Sequence, residues 1–502
     1  MNNTKIQSQC FKLTLIAGLM ASSATAVALD KPQTMEDMWK IIQAQQKQID
    51  EMKAAIKEAP APTKTASAPA SPNSDVKQLE RKTDVLSQEV EKLRTNLTIP
   101  DEVQYKSAYG LGPAASKVYQ VGKGLSIGGY GEANYQVRVD DQGGRERFND
   151  KGVLDTTGNY GKLKNPDNAD LERLVIYAGY KFTDSILFNS EIEFEHASVA
   201  GSGNGNGDVS VEFAALDFFI DPMANVRAGM VLMPMGFVNQ IHEPPFYFGN
   251  NRPEVERQII PSTWREIGVG LFGEILPNLT YTTYVVNGMD AADFSSSGIR
   301  SGRQQGAQAS AEDLAFVGRM DYAPPVLPGV SVGGSAYVGN SGQNQTFNGV
   351  KADVLTQLYE AHVQWKYRGL EFRTLGSWGH IDDAGLLSAS KGANKGAGKG
   401  NGKVIGEDNY GWYSEAGYDV LPWFLPETTQ YLAPFFRYEH LDTLASAPDG
   451  YEDDQTKDRE IYQVGLQYKP IPNVVIKADY RNFKAKKGSM PDDFNLGFGF
   501  IF

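Results

Sequence analysis

From about residue 125 to the C-terminus, apolar and polar residues alternate in segments of roughly ten to fourteen residues. A period of two is the signature of a β-strand with unlike faces. Sixteen such segments are read, at 125–138, 170–181, 185–196, 209–220, 224–233, 263–274, 278–287, 312–323, 329–339, 355–367, 370–380, 408–420, 430–441, 459–469, 473–483 and 493–502. The connections between them alternate strictly between long and short. The long ones are 139–169, 197–208, 234–262, 288–311, 340–354, 381–407, 442–458 and 484–492. The short ones carry turn residues: Thr183-Asp184, Asp221-Pro222, Pro277-Asn278, Pro324-Pro325, Arg368-Gly369, Pro422 to Pro426, and Pro470 to Asn473. A soluble sandwich or propeller has no reason to alternate in this way. An all-β transmembrane barrel does, because its loops are long on one side and its turns short on the other.

The alternation also assigns faces. In 473–483, Val474, Ile476, Ala478 and Tyr480 point one way, and Lys477, Asp479 and Arg481 the other. In 185–196, Ile186, Phe188, Ile192 and Phe194 oppose Glu191, Glu193 and Glu195. In 355–367, Tyr359, Val363, Trp365 and Tyr367 oppose Glu360, His362 and Gln364. Side chains alone cannot fill a barrel of ~16 strands, so the charged face is expected to line water and the apolar face to meet lipid. Tyr135, Tyr180, Tyr322, Tyr367, Trp378, Tyr468 and Tyr480 suit the interfacial girdles of such a barrel. No stretch beyond the N-terminus approaches the ~18 apolar residues of a membrane helix.

The first 28 residues read as a secretory signal: Lys5 and Lys12, a short apolar run from Leu13 to Met20, and small residues up to Ala28. The only cysteine, Cys10, lies inside it. The expected mature chain therefore has no disulfide and no cysteine-ligated metal. Losing the two lysines and no acid takes the net charge from −13 to −15. Residues 29–58 and 75–98 each repeat apolar residues at spacings of three and four. Met35, Met38, Ile42, Ile49, Met52 and Ile56 mark the first segment; Val76, Leu79, Leu86, Val90, Leu93 and Leu97 mark the second. Both read as coiled-coil helices, or as a helical hairpin, forming a periplasmic stalk. Residues 59–74 are a Pro/Ala-rich spacer, and 99–124 a linker to the barrel at 125–502.

The C-terminus places Phe494, Leu496, Phe498, Phe500 and Phe502 at every second position. This resembles the signal that the barrel-assembly machinery reads, with Phe502 as its last residue. The stalk heptads, the segment YGLGPAASKVYQVGKGLSIGGYGEANYQ (109–136), DLERLVIYAGYKFTDSILFNSEIEFEH (170–196) and the terminal FGFIF carry a wider likeness. The chain resembles the phosphate-selective porin O and P family, and within it the DcaP-type trimeric dicarboxylate porins with an N-terminal coiled coil. That resemblance implies sixteen strands, a homotrimer in outer-membrane lipid, and passage of small anionic solutes. It departs from the family's basic ladder, because the inward-facing residues are mixed in sign. Arg138, Arg173, Arg227, Arg319, Arg373, Arg437, Lys477 and Arg481 stand against Glu132, Glu191, Glu193, Glu195, Glu360, Glu371, Glu415, Glu439 and Asp479.

Connection 234–262 differs from the other long ones. It holds Phe237, Val238, Ile241, Phe246, Tyr247, Phe248, Ile259 and Ile260. This much apolar surface is expected to fold against the inner wall, or to pack between subunits. It would carry Arg252 and Arg257, with Arg265 beside them, to a narrow place. These and the wall cations are the candidate pore-lining residues, because guanidinium forks match carboxylates and rings of basic groups favour anions.

No catalytic, cofactor or metal site is read. His196, His242, His362, His380 and His440 are isolated, GxSxG is absent, and His242-Glu243 is followed by two prolines rather than HExxH. KGANKGAGKGNGK (391–403) fails the phosphate-loop pattern, since Lys403 is followed by Val404. No nucleic-acid partner is implied. The alternatives to an anion-preferring porin are a non-selective porin and a structural anchor tethered to the cell wall through the stalk.

Overall fold

The computed structural model describes residues 107–139, 147–148, 154–155, 167–197, 207–396, 402–488 and 490–502. The signal at 1–28, the coiled-coil segments and the spacer lie outside the described residues.

Sixteen strands close into one antiparallel barrel, each paired with its neighbours in the chain. They are β1 (Gly124–Val139), β2 (Asn168–Lys181), β3 (Ile186–Glu195), β4 (Val209–Asp221), β5 (Ala224–Leu232), β6 (Arg265–Leu276), β7 (Leu279–Asn287) and β8 (Leu314–Tyr322). There follow β9 (Val330–Asn340), β10 (Leu355–Tyr367), β11 (Leu370–Ile381), β12 (Asp408–Tyr418), β13 (Tyr431–Ser446), β14 (Asp458–Ile471), β15 (Val474–Ala485) and β16 (Asp492–Ile501). Closure is between the first strand and the last, with Tyr130 opposite Ile501 and Val139 opposite Asp492. The long and short connections alternate as the sequence predicts. The tightest is Arg368-Gly369, where φ is +48° and +86°; two positive values in a two-residue hairpin match the right-handed twist of the flanking strands.

Outward positions are predominantly apolar, with a few hydroxyl residues such as Thr283, Thr374 and Ser414 among them. Leu125, Val269, Phe316, Trp365, Trp378, Ile476 and Phe498 are all exposed, while their chain neighbours turn inward. An exposed apolar belt of this extent far exceeds the patches that soluble monomers carry. Closure also leaves no strand edge, which is what a hydrocarbon solvent demands.

The interior departs from the expected water-lined channel. Beside the charged residues, Val175, Tyr177, Phe213, Val231, Tyr284, Val317, Tyr337, Leu358, Leu375, Tyr413 and Ile461 also turn inward and are buried. They are covered by chain rather than by water. Segment 233–264 brings Met233, Met235, Val255, Ile259, Ile260 and Trp264 against them. Connection 288–313, expected to be polar, adds Met289, Ala291, Phe294 and Ile299 to the same cluster. Just ahead of β1, Leu111, Ala114 and Ala115 pack on Tyr130, Val175 and Tyr177. Asn189 donates to the Ala115 carbonyl (2.9 Å) and Arg227 to that of Tyr109 (3.2 Å). Side chains cannot fill such a barrel, but side chains with inserted polypeptide can fill much of it.

Candidate functional site

Segment 233–264 is built to cross the barrel. Gly236 and Gly249 take left-handed φ values of +68° and +74°. Gly249 passes so close to β14 that a Cβ there would collide with the Gln463 side-chain amide. Pro244-Pro245 open a short turn, and Pro253 precedes a five-residue helix, α1 (Glu254–Gln258). Glu256 of α1 is fully buried, and its carboxylate accepts from the Val238 N–H (2.7 Å) and the Tyr413 hydroxyl (2.6 Å).

The wall grips the segment's main chain from several sides. Arg437 donates to the carbonyls of Phe248 (2.7 Å) and Asn251 (3.3 Å). Lys477 donates to that of Gly249 (2.8 Å) and lies over the Tyr247 ring at 3.7 Å. Arg373 donates to Phe246 (2.5 Å), and Arg319 to Gly236. From the acidic side, Asp479 accepts from the Asn250 N–H (2.8 Å), Glu439 from Val255 (3.0 Å), and Glu132 from the Tyr247 hydroxyl (2.7 Å). A buried carbonyl or amide left without such a partner costs ~1–3 kcal/mol. The mixed signs of the inner wall therefore have a local reason: both donors and acceptors are needed to hold a polypeptide inside.

The wall cations are also matched by acids. Arg173 lies 2.9 Å from Glu132, 2.7 Å from Glu172 and 3.5 Å from Glu193. Arg227 meets Asp217 (2.6 Å), Arg265 meets Glu212 (3.1 Å), and Arg319 meets Asp321 (2.6 Å). Arg437 meets Glu415 (2.7 Å), Arg373 approaches the same carboxylate (3.7 Å), and Arg481 meets Asp493 (2.6 Å). Arg138, near the end of β1, has its main-chain N–H on Asp167 (2.9 Å). Apart from Arg138, whose contact is through its main chain, and Lys477, whose amine meets a carbonyl, their charge is largely spent within the wall.

The loop cations differ. Arg252 has two guanidinium nitrogens that are buried without a hydrogen-bond partner. Arg257 is 48% exposed and pairs with Glu254 at 2.7 Å. Arg300 and Arg303, which the sequence reading missed, fold from connection 288–313 onto the end of segment 233–264. Arg300 donates to the carbonyls of Arg257 (2.9 Å) and Ser262, and Arg303 to those of Pro261 (2.9 Å), Ser262 (3.1 Å) and Thr263 (3.0 Å). Among the described residues, main-chain carbonyls are their only hydrogen-bond acceptors. Burial first, then the neighbouring Arg303, Arg257 and Arg252, push Arg300 down to about 9. It remains a cation at neutral pH, so the cluster keeps its positive charge. The sequence signal was faint: two arginines three apart in a Ser/Gly run that reads as a solvated loop.

A relative from Aquifex aeolicus (strain VF5), described as an uncharacterized protein, is 38% identical over 406 residues, which is 79% of this chain and 84% of the relative. The chain belongs to the family of that protein. No family model matches it. Among solved structures, the outer-membrane channel DcaP of Acinetobacter baumannii superposes with a TM-score of 0.45 at 16% identity, covering 75% of this chain and 97% of that one. An anion-selective porin from Comamonas acidovorans gives 0.45 at 10% identity, over 75% and 99%. A loop-deletion form of OmpT, an outer membrane protein of Vibrio cholerae, gives 0.47 at 12%, over 76% and 100%.

Proposed function

We propose that this chain is an outer-membrane diffusion channel for small hydrophilic solutes, narrowed by segment 233–264 and preferring anions. The observation that carries the reading is an inside-out closed barrel of sixteen strands, apolar without and charged within, crossed by a segment that carries Arg252 and Arg257 and is met at its end by Arg300 and Arg303. Arg252, Arg257, Arg300 and Arg303 come from two loops, and the one acid paired to them within 4 Å among the described residues is Glu254. Acids and bases on the wall neutralise one another, and at physiological salt screening acts over ~8 Å. Arg252, Arg300 and Arg303, with no acid within 4 Å among the described residues, then set the local potential. Guanidinium forks favour carboxylates over halides, so small carboxylates, dicarboxylates among them, are the proposed solutes. The heptad segments would add a periplasmic stalk and, with the barrel, a homotrimer.

A second reading, a filled barrel serving as a membrane anchor for the stalk, has one observation in its favour: most inward-facing wall residues are buried beneath inserted chain. Planar-bilayer recording of the purified, folded protein separates the two. Discrete ohmic steps support the channel. Folded protein that inserts and stays electrically silent supports the anchor and rejects the channel.

A further inference from the structure

Where segment 233–264 passes the wall of β3 and β4, three chemically matched side chains meet. His242 Nε2 lies 2.9 Å from Glu191 Oε1 and 3.4 Å from Glu212 Oε2. One ligand atom from each of the three lies within 4.8 Å of the others. All three residues are buried, at 1%, 0% and 0% exposure. We propose that Glu191, Glu212 and His242 bind a divalent transition-metal cation, of which Zn²⁺ is the best match, and that the ion staples the inserted segment to the barrel wall.

The first argument is geometric. Tetrahedral bonds of ~2.0–2.1 Å separate ligand atoms by about 3.3 Å, and the two measured separations bracket that value. The second is the local fold. Glu191 pairs with Phe213 and Ile192 with Val211, so Glu212 is the extra residue of a β-bulge. The bulge turns two successive side chains, Glu212 and Phe213, to the inside. Bulges that re-aim one side chain recur beside functional sites; without this one, Glu212 would face outward.

The third argument is unmet valence. Glu191 Oε2 and Glu212 Oε2 have no hydrogen-bond partner. Independently, the Tyr130 hydroxyl is fully buried and unpartnered, with its ring 5.8 Å from that of His242 and Glu191 and Glu193 as its strongest charged neighbours. A buried, unpartnered hydroxyl close to carboxylate oxygens that are themselves unpartnered marks a place for a further ligand. Glu191, Glu193 and Glu212 are faced by Arg265, which takes one oxygen of Glu212, by Arg173, already shared with Glu132 and Glu172, and by Arg252, which also faces His242 and Tyr130. An imidazole nitrogen beside carboxylates suits Zn²⁺, with Mn²⁺ or Fe²⁺ as weaker fits, and is foreign to Ca²⁺ and Mg²⁺ sites.

The test uses the full chain, folded in detergent, stripped with a chelator and titrated with Zn²⁺. The proposal expects one ion per chain, slower proteolysis within 233–264 on loading, and affinity at least about a hundredfold lower in Glu212→Gln and in His242→Gln; loss of outer-shell partners alone costs ~10–100-fold. Heat-modifiable mobility certifies that each variant is folded. If a variant does not fold, Co²⁺ decides on the parent protein: a visible ligand-field band saturating at one equivalent sustains the site, and its absence overturns it. Undiminished Zn²⁺ uptake in both folded variants, or no uptake by the parent, also overturns it. Metal content is read without any current, so failure of the channel reading leaves this result interpretable.

Discussion

Arg437 is the cleanest place to ask whether the wall charges exist to hold the inserted segment. It is 1% exposed. Its Nε donates to Glu415 (2.8 Å), Nη1 to Gln463 (2.8 Å), and Nη2 to the Phe248 carbonyl (2.7 Å). Arg437→Met leaves Glu415 buried with only Arg373 at 3.7 Å, and leaves the Phe248 carbonyl without its donor. Breaking a buried pair from one side costs ~3–5 kcal/mol. Residual help from Arg373 places this case near the lower end, at about 3 kcal/mol. Removing both charges, as Arg437→Met with Glu415→Leu, no longer strands Glu415; what remains is the donor lost to the Phe248 and Asn251 carbonyls and the 3.9 Å pairing lost to Glu439, at about 1–2 kcal/mol. The assay is a denaturant titration of the folded barrel, read as the fraction resisting the mobility shift on gels, with current noise recorded in bilayers. The single variant should be less stable than the double, and noisier than the parent as Phe248 loosens. A double variant as unstable as the single would refute the pairing argument, and unchanged noise in both would refute the clamp.

Three further outcomes follow from the same geometry. Phe502 closes the barrel through its main chain, donating to and accepting from Gly129 at 2.9 and 3.0 Å; deleting it should lower the amount of folded barrel in the membrane and leave the conductance of each assembled channel unchanged. Burial, then the nearby Arg459, holds the Lys457 amine down at about 8 against an ordinary 10.5, so between those values the unfolded chain binds the extra proton and stability should rise with pH across that window; thermal-shift curves of Lys457→Met should lack this rise. Replacing Arg300 and Arg303 together by Gln should weaken anion preference severalfold at low salt and free the end of the segment for proteolysis, whereas unchanged selectivity would place the selecting charge elsewhere.

The sixteen strands were legible because a period of two and the long-short rhythm of connections are both local properties of the chain. Faces followed for the same reason: Lys477, Asp479 and Arg481 turn inward, and Ile476 and Tyr480 outward, as their alternation requires. The insertion of 233–264 was legible from its aromatic content. What alternation does not reveal is what an inward side chain meets. Nothing in 408–420 announces that Glu256, from another part of the chain, will accept the hydrogen bond of the Tyr413 hydroxyl. Phe294 and Ile299 are too few in their Ser/Gly run to predict a buried loop, yet they join the largest interior cluster. Glu212 was hidden by its bulge, which breaks the alternation on which the face assignment rests. His242 was read as isolated because Glu191 and Glu212 are distant in sequence and meet it only after the segment folds inward.

The central claim, that the loop arginines make this barrel an anion-preferring channel, is tested most directly by the reversal potential of the full-length protein in a planar bilayer across a tenfold gradient of potassium chloride. The account predicts a potential of the sign set by chloride, shrinking as total salt rises and the arginines are screened. A potential of the sign set by potassium, in a folded channel with Arg252, Arg257, Arg300 and Arg303 intact, would contradict it.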